Sequence, residues 1–167
     1  MRKFGLIIFF CLNLFWVSAQ TGQWKIGDTL PNFSYEGQFA RDYQLKELKG
    51  SYVLVHYWAS WNEESRRMQR SFIDLFGRYK DRRFKQGRKF YIISVALDDN
   101  AEILELAIRN DNLPWKNKYC DYKGWKSPII EEARISQIPA NYLLDPRGII
   151  IGVNLKKDQL EEILRSL

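Results

Sequence analysis

Six residues, Trp61-Asn62-Glu63-Glu64-Ser65-Arg66, follow directly on an apolar run from Tyr52 to Trp58 and open a helical pattern. The run is short and rich in β-branched and aromatic side chains, as a strand buried on both faces should be. Asn62 is a good N-cap, and Glu63 and Glu64 put negative charge in the first helical turn, where the dipole favours it. A strand that feeds a helix N-terminus is a common place for chemistry. Free backbone N–H groups and the dipole there stabilise an anion, including a thiolate. Asn62, however, carries no nucleophile. Ser65 has a hydroxyl whose pKa is too high to attack without a base, and His56 on the strand is the candidate for that base. The commoner role for such a residue is a core histidine, hydrogen-bonded and neutral.

Two further groups invite chemistry. Cys120 lies in Trp115-Lys116-Asn117-Lys118-Tyr119-Cys120-Asp121 with no His or second Cys beside it in sequence. It reads as a small, half-buried apolar residue rather than a reactive thiol. Asp98-Asp99-Asn100 could bind a metal or act as acid and base, but its place between a strand and a helix points to capping. The sequence implies no metal and no cofactor.

The elements that position these residues follow from periodicity. Pro31 to Tyr35 reads as a short strand. Met68, Phe72, Leu75, Phe76 and Tyr79 give one apolar face to the helix after Asn62. Arg66, Arg67, Arg70, Arg78, Lys80, Arg82 and Arg83 crowd the rest, as a solvated face or as a surface for an acidic partner or a membrane. Lys89 to Leu97 is a second buried strand. A helix over Ala101 to Asn110 follows, with Ile103, Leu104, Ala107 and Ile108 inward. A helix from Ser127 to about Arg134, a hairpin from Asn141 to Val153 and a closing helix from Asp158 to Leu167 complete the chain. Leu160, Ile163 and Leu164 face inward on the last. The order predicts an α/β fold with a mixed sheet, since β-α-β units are parallel and hairpins antiparallel.

Residues 1–19 read as a secretory signal: Arg2-Lys3, an apolar run from Leu6 to Val17, and Val17-Ser18-Ala19 as the cleavage site. That run is about a dozen residues, short of the ~20 a spanning helix needs. Cys11 belongs to the apolar run, because Ile8-Phe9-Phe10 ahead of it lacks the small residues of a lipobox. Residues 20–167 then form one domain without a membrane span. Loss of Arg2 and Lys3 lowers the net charge from +6 to +4, no sign of nucleic-acid binding. Only Cys120 remains, so the mature monomer has no internal disulfide.

The stretch around Asn62 resembles the active-site segment of thioredoxin-like proteins, in particular the TlpA/ResA-like extracytoplasmic branch with its redoxin-type domain. Leu54, Val55, Tyr57, Trp58, Ala59, Trp61 and Arg66 fit that branch's pattern. Asn62 stands at the place of the nucleophilic cysteine and Ser65 at that of the resolving one. His56 stands where members carry a buried Asp or Asn, and Met68 and Arg70 where many carry Glu and Pro. Gly124-Trp125-Lys126-Ser127 resembles a further family motif. Ile138-Pro139-Ala140-Asn141-Tyr142-Leu143-Leu144-Asp145-Pro146-Arg147-Gly148-Ile149-Ile150 resembles the second signature throughout. The resemblance, over residues 26–167, implies a thioredoxin-like fold, a central mixed β-sheet flanked by helices. It also implies a cis Ile138–Pro139 bond opposite the active-site turn.

Thiol–disulfide exchange needs a thiolate at the helix N-terminus and a second thiol to release the mixed disulfide. The expected function is therefore a secreted, most naturally periplasmic, thioredoxin-like module without the redox dithiol. It would bind an extended protein or peptide segment through Trp61, Asn62, Glu63, Glu64, Ser65, Ile138 and Pro139, by strand addition as the resemblance implies. The alternative is an enzyme, with redox chemistry through Cys120 or hydrolysis through Ser65 and His56. The partner's identity and the oligomeric state stay open.

Overall fold

A computed structural model describes residues 23–32, 34–37 and 40–167. The signal segment, its cleavage point, Cys11 and Phe33 lie outside the described residues. The chain opens with a small antiparallel pair, β1 (Ser34–Gly37) and β2 (Ala40–Gln44), and a 3-10 turn at Leu45–Leu48. Gly50, at φ +87, ends that turn in a conformation that side chains rarely adopt. Then follow β3 (Tyr52–Trp58), α1 (Glu63–Tyr79), β4 (Phe90–Ala96) and α2 (Ala101–Asn110). The second half holds β5 (Asn117–Tyr119), a 3-10 turn (Gly124–Lys126), α3 (Pro128–Glu132), β6 (Ala140–Leu144), β7 (Ile150–Val153) and α4 (Lys157–Ser166).

The main sheet has the order β5-β4-β3-β6-β7. β3 runs parallel to β4 and antiparallel to β6, so the expected mixed sheet is present and β3 lies at its centre. Every residue of β3 is buried, which accounts for its unbroken apolar sequence. Val53, Val55 and Tyr57 pack toward Leu45, Leu48 and Ile130 on one face. Tyr52, Leu54 and Trp58 pack toward Phe72 and Leu75 of α1 and Leu160 and Leu164 of α4 on the other.

Some expectations need correcting. The first strand starts at Ser34, not Pro31, and α3 ends at Glu132, short of Arg134. β5 reads from sequence only as strand or loop, because it is three residues long. Ile103 does not face inward: it is 54% exposed, as is Leu106 at 52%, and α2 contacts the core through Leu104 and Ala107. With so short an apolar stripe the sheet needs only part of the helix circumference.

These contacts predict a contrast between two truncations. Phe72→Ala, at a fully buried ring, should cost about 3–5 kcal/mol. Ile103→Ala should stay within about 0.5 kcal/mol of the parent. Urea unfolding of the two variants checks both values.

Candidate functional site

β3 ends at Trp58, and Ala59 and Ser60 carry the buried chain to Trp61, 56% exposed at the tip of the turn. Asn62 N–H donates to the Ala59 carbonyl (3.2 Å), closing the turn. The Asn62 Oδ1 accepts the Ser65 N–H at 2.8 Å, so the expected N-cap is formed. Glu63 and Glu64 are exposed in the first turn, and Glu63 pairs with Arg70 at 3.0 Å.

Ala140 pairs with Tyr57 across the β3–β6 ladder, which brings the Ile138–Pro139 bond, cis as expected, beside the exit of β3. The turn carrying Trp61 to Ser65 and the Ile138–Pro139 segment therefore share one end of the sheet. Arg66 donates from both Nε and Nη2 to Asp111 (2.8 and 2.7 Å), and Arg70 adds a third bond at 2.9 Å. Burial pushes the Asp111 carboxyl up, and the two guanidinium groups more than offset this, holding it below the usual carboxylate range. Part of the basic face of α1 is thus a brace to the end of α2, not a free surface.

The paired aspartates do not both cap α2. Asn100 does so, accepting the Ile103 N–H at 3.1 Å. Asp98 is buried and turns back to the site, where it accepts the Ser60 N–H (3.0 and 3.2 Å to its two oxygens) and the Ser60 hydroxyl. Burial raises the Asp98 carboxyl despite the Ser60 hydrogen bonds. Sequence reasoning missed this clasp, because Ser60 and Asp98 meet only through the fold.

Beneath the turn lies a second feature the sequence left unassembled. His56, Ser94 and Asn141 interrupt otherwise apolar strands, and the register sets them side by side in one row across β4, β3 and β6. Ser65 and Gln69 of α1 are fully buried, in the helix that covers this face of the sheet. Ser94 Oγ donates to Gln69 Oε1 (2.8 Å) and accepts from Trp115 Nε1 (2.7 Å), and Asn141 bonds both backbone groups of Leu155. The Ser65 hydroxyl and the Gln69 amide nitrogen find no hydrogen-bond partner among the described residues, and the His56 ring finds no side-chain one. Lone polar residues inside strands, at positions 56, 94 and 141, were the available signal.

His56 is neutral, as expected of a core histidine, and its ring faces the backbone of Ala140 and Ser65 with no side-chain partner. Its ring stands edge-on to Phe72, centroids 5.5 Å apart. Burial lowers its pKa from 6.5 to about 4, against the smaller pull of the Ala140 and Ser65 backbone. Ser65 Oγ and the imidazole do not bond to one another, so the geometry supplies no serine–histidine dyad. Cys120 is buried and unpaired. Its thiol donates to the Asp98 carbonyl and accepts the Tyr122 N–H, each at 3.4 Å. Burial pushes its pKa up to about 11, the reverse of an activated thiol. The cavity beside it measures about 10 Å³, room for no more than one water. Among the described residues no cluster of His, Cys, Asp and Glu could hold a metal.

A layered α/β fold with a strand–turn–helix junction facing a cis proline defines the class, and sequence comparison agrees. Residues 50–150 match the family model described as thioredoxin-like, and the chain belongs to that family. It is 24% identical over 152 residues to the thiol-disulfide oxidoreductase ResA of a Bacillus cereus strain, covering 89% of this chain and 82% of that one. Among solved structures it is similar to a thiol-disulfide oxidoreductase from Bacteroides fragilis. That match has 26% identity and a TM-score of 0.72, over 83% of this chain and 98% of the other. The thioredoxin domain of a thiol-disulfide oxidoreductase from Bacteroides vulgatus shares the fold at TM-score 0.75 and 24% identity, over 86% and 98% of the two chains.

Two measurements follow from the site. Asn62→Ala removes the cap and should cost about 1 kcal/mol in urea unfolding. His56 should make stability depend on pH. The folded pKa lies below the unfolded one, so the neutral ring contributes fully above pH 6.5 and that contribution is lost as pH falls toward 4. The loss should be on the order of 3 kcal/mol. It should be absent from His56→Asn, the chain having no other histidine. Asp111 and Asp145 are held below the usual carboxylate range, under this window, whereas burial raises Asp98, whose protonation as pH falls acts in the opposite sense and is common to both proteins.

Proposed function

We propose that this chain is an exported, periplasmic thioredoxin-like module that lacks the redox dithiol and binds an extended protein or peptide segment. The observation that carries the reading is the Asn62 cap. Its side-chain oxygen takes the Ser65 N–H, at the helix N-terminus where an oxidoreductase of this family would hold a thiolate. Ser65, at the second cysteine position, is wholly buried. The recognition face comprises Trp61, Asn62, Glu63, Glu64 and Ser65 with Ile138 and Pro139. Exposed Trp61 supplies an amphipathic contact, and Ile138 and Pro139, half-buried at the same end of the sheet, offer the edge against which an extended segment can lie. Ser65 supports that face from below as the cap's donor.

The relatives' names speak of thiol–disulfide oxidoreduction, and Cys120 is the described thiol that could sustain it. Its burial, its raised pKa and the cramped cavity beside it weigh against that role. Among the described residues no helix is long and apolar enough to cross a membrane, which is compatible with release after export.

Insulin reduction separates the readings: the parent protein should show none above a thiol-free control. Asn62→Cys with Ser65→Cys should form a disulfide, because the turn is already built. Turnover should stay poor, since His56 and Met68 stand where active members carry proton-handling groups. Strong reductase activity in the double variant would show that the site lost only its sulfurs. Insulin reduction by the parent would overturn the proposal itself.

A further inference from the structure

The end of the sheet away from Asn62 gathers cations from three separated segments. β3 and β4 both start there and β6 ends there, so residues 45–51, 80–89 and 145–148 converge. Direct contacts hold them: Gly50 N–H donates to the Pro146 carbonyl (2.8 Å) and Arg88 N–H to the Gly50 carbonyl (2.7 Å). Arg88 also donates a guanidinium N–H to the Lys49 carbonyl at 3.3 Å. Lys46, Lys49 and Arg88 are exposed and have no carboxylate partner among the described residues. Arg147 is held in place by Asp145, through Nε at 2.9 Å and Nη2 at 2.7 Å.

Lys46, Lys49 and Arg147 rim a concavity of about 300 Å³ floored by Leu30 and Leu45. Arg82, by contrast, is used internally, donating to the Leu164 carbonyl at the end of α4. We propose that this concavity, with Arg88 held against Lys49 beside it, is a second docking surface, for an acidic protein segment that carries an apolar side chain. Charge complementarity selects an acidic partner. The recess with its leucine floor selects a segment with an apolar residue to insert, rather than the flat surface of an anionic bilayer. The surface lies a β3 length from the Trp61–Pro139 face, roughly 20 Å, so both ends can be occupied at once.

The test uses the full chain and a synthetic peptide, Glu-Glu-Leu-Glu-Glu, followed by calorimetry and amide NMR. Expected are shifts at Lys46, Lys49 and Gly148 with none at Trp61, and about tenfold weaker binding in 0.5 M salt. Lys46→Glu with Lys49→Glu should weaken binding about tenfold or more at unchanged unfolding midpoint, with Lys46→Gln and Lys49→Gln as a milder second variant. Replacing the peptide's leucine by glycine should weaken it severalfold. Equal affinity for parent and charge variants overturns the proposal, as do shifts confined to the Trp61 end. Binding to phosphatidylglycerol vesicles without binding to the peptide overturns it in favour of a membrane surface. Failure here leaves the reading of the Asn62 end untouched, because that end is scored by separate resonances and by insulin reduction.

Discussion

The structure depends on β3 having no free side. Its side chains are all buried and its backbone is paired on both edges, with β4 and β6. A strand so determined cannot slip, because a one-residue shift would turn each face inside out. Its exit point is therefore fixed, and so is what surrounds it. Ala140 opposite Tyr57 puts Pro139 beside that exit, and the carboxyl group of Asp98 holds Ser60 in the turn. The Trp61–Ser65 turn is thus placed by neighbouring elements as well as by its own Asn62 cap.

That constraint also explains how unpaired polar atoms persist under the turn. Each buried group without a partner costs on the order of 1–3 kcal/mol. Ser65 and Gln69 carry such atoms. An isolated core would relax to satisfy them, but here the sheet register and the α1 packing set their places. Local rules tend to fail at sites shaped for something other than stability. The row of His56, Ser94 and Asn141 is such a departure, in strands whose other residues are almost entirely apolar or aromatic.

Much of this is legible in the chain. The long apolar runs and the Asn62 and Asn100 caps mark the central strands and both N-termini, because each signal is local. The hairpin is legible through Pro146-Arg147-Gly148, with Gly148 at φ +88. Less legible are features that need two distant segments. Arg66 reads as one more surface charge until Asp111 is placed against it. Asp98 reads as a cap until Ser60 arrives, and the short β5 has too few residues to show a period. His56 reads as a neutral core residue, which it is, but which strand residues flank it shows only in the register.

On the proposed reading, positions 62 and 65 stand where a redox relative would carry its two cysteines, and the two are not equivalent. At position 62 an amide oxygen does a thiolate's electrostatic task at the helix N-terminus: it accepts a backbone N–H at 2.8 Å without carrying charge. The helix start therefore loses little, and the exposed Glu63 and Glu64 still complement its dipole. At position 65 the exchange is poorer. A thiol is a weak donor that tolerates apolar surroundings, whereas a hydroxyl without a partner pays for desolvation. Ser65 is fully buried with its oxygen unbonded, so it is less well adapted than Asn62. Selection for stability alone would favour an apolar residue such as Ala there. A fitted cap at 62 and an ill-fitted hydroxyl at 65 are what the proposed binding role leads one to expect, since that role asks only for the outer shape of the turn and an exposed Trp61.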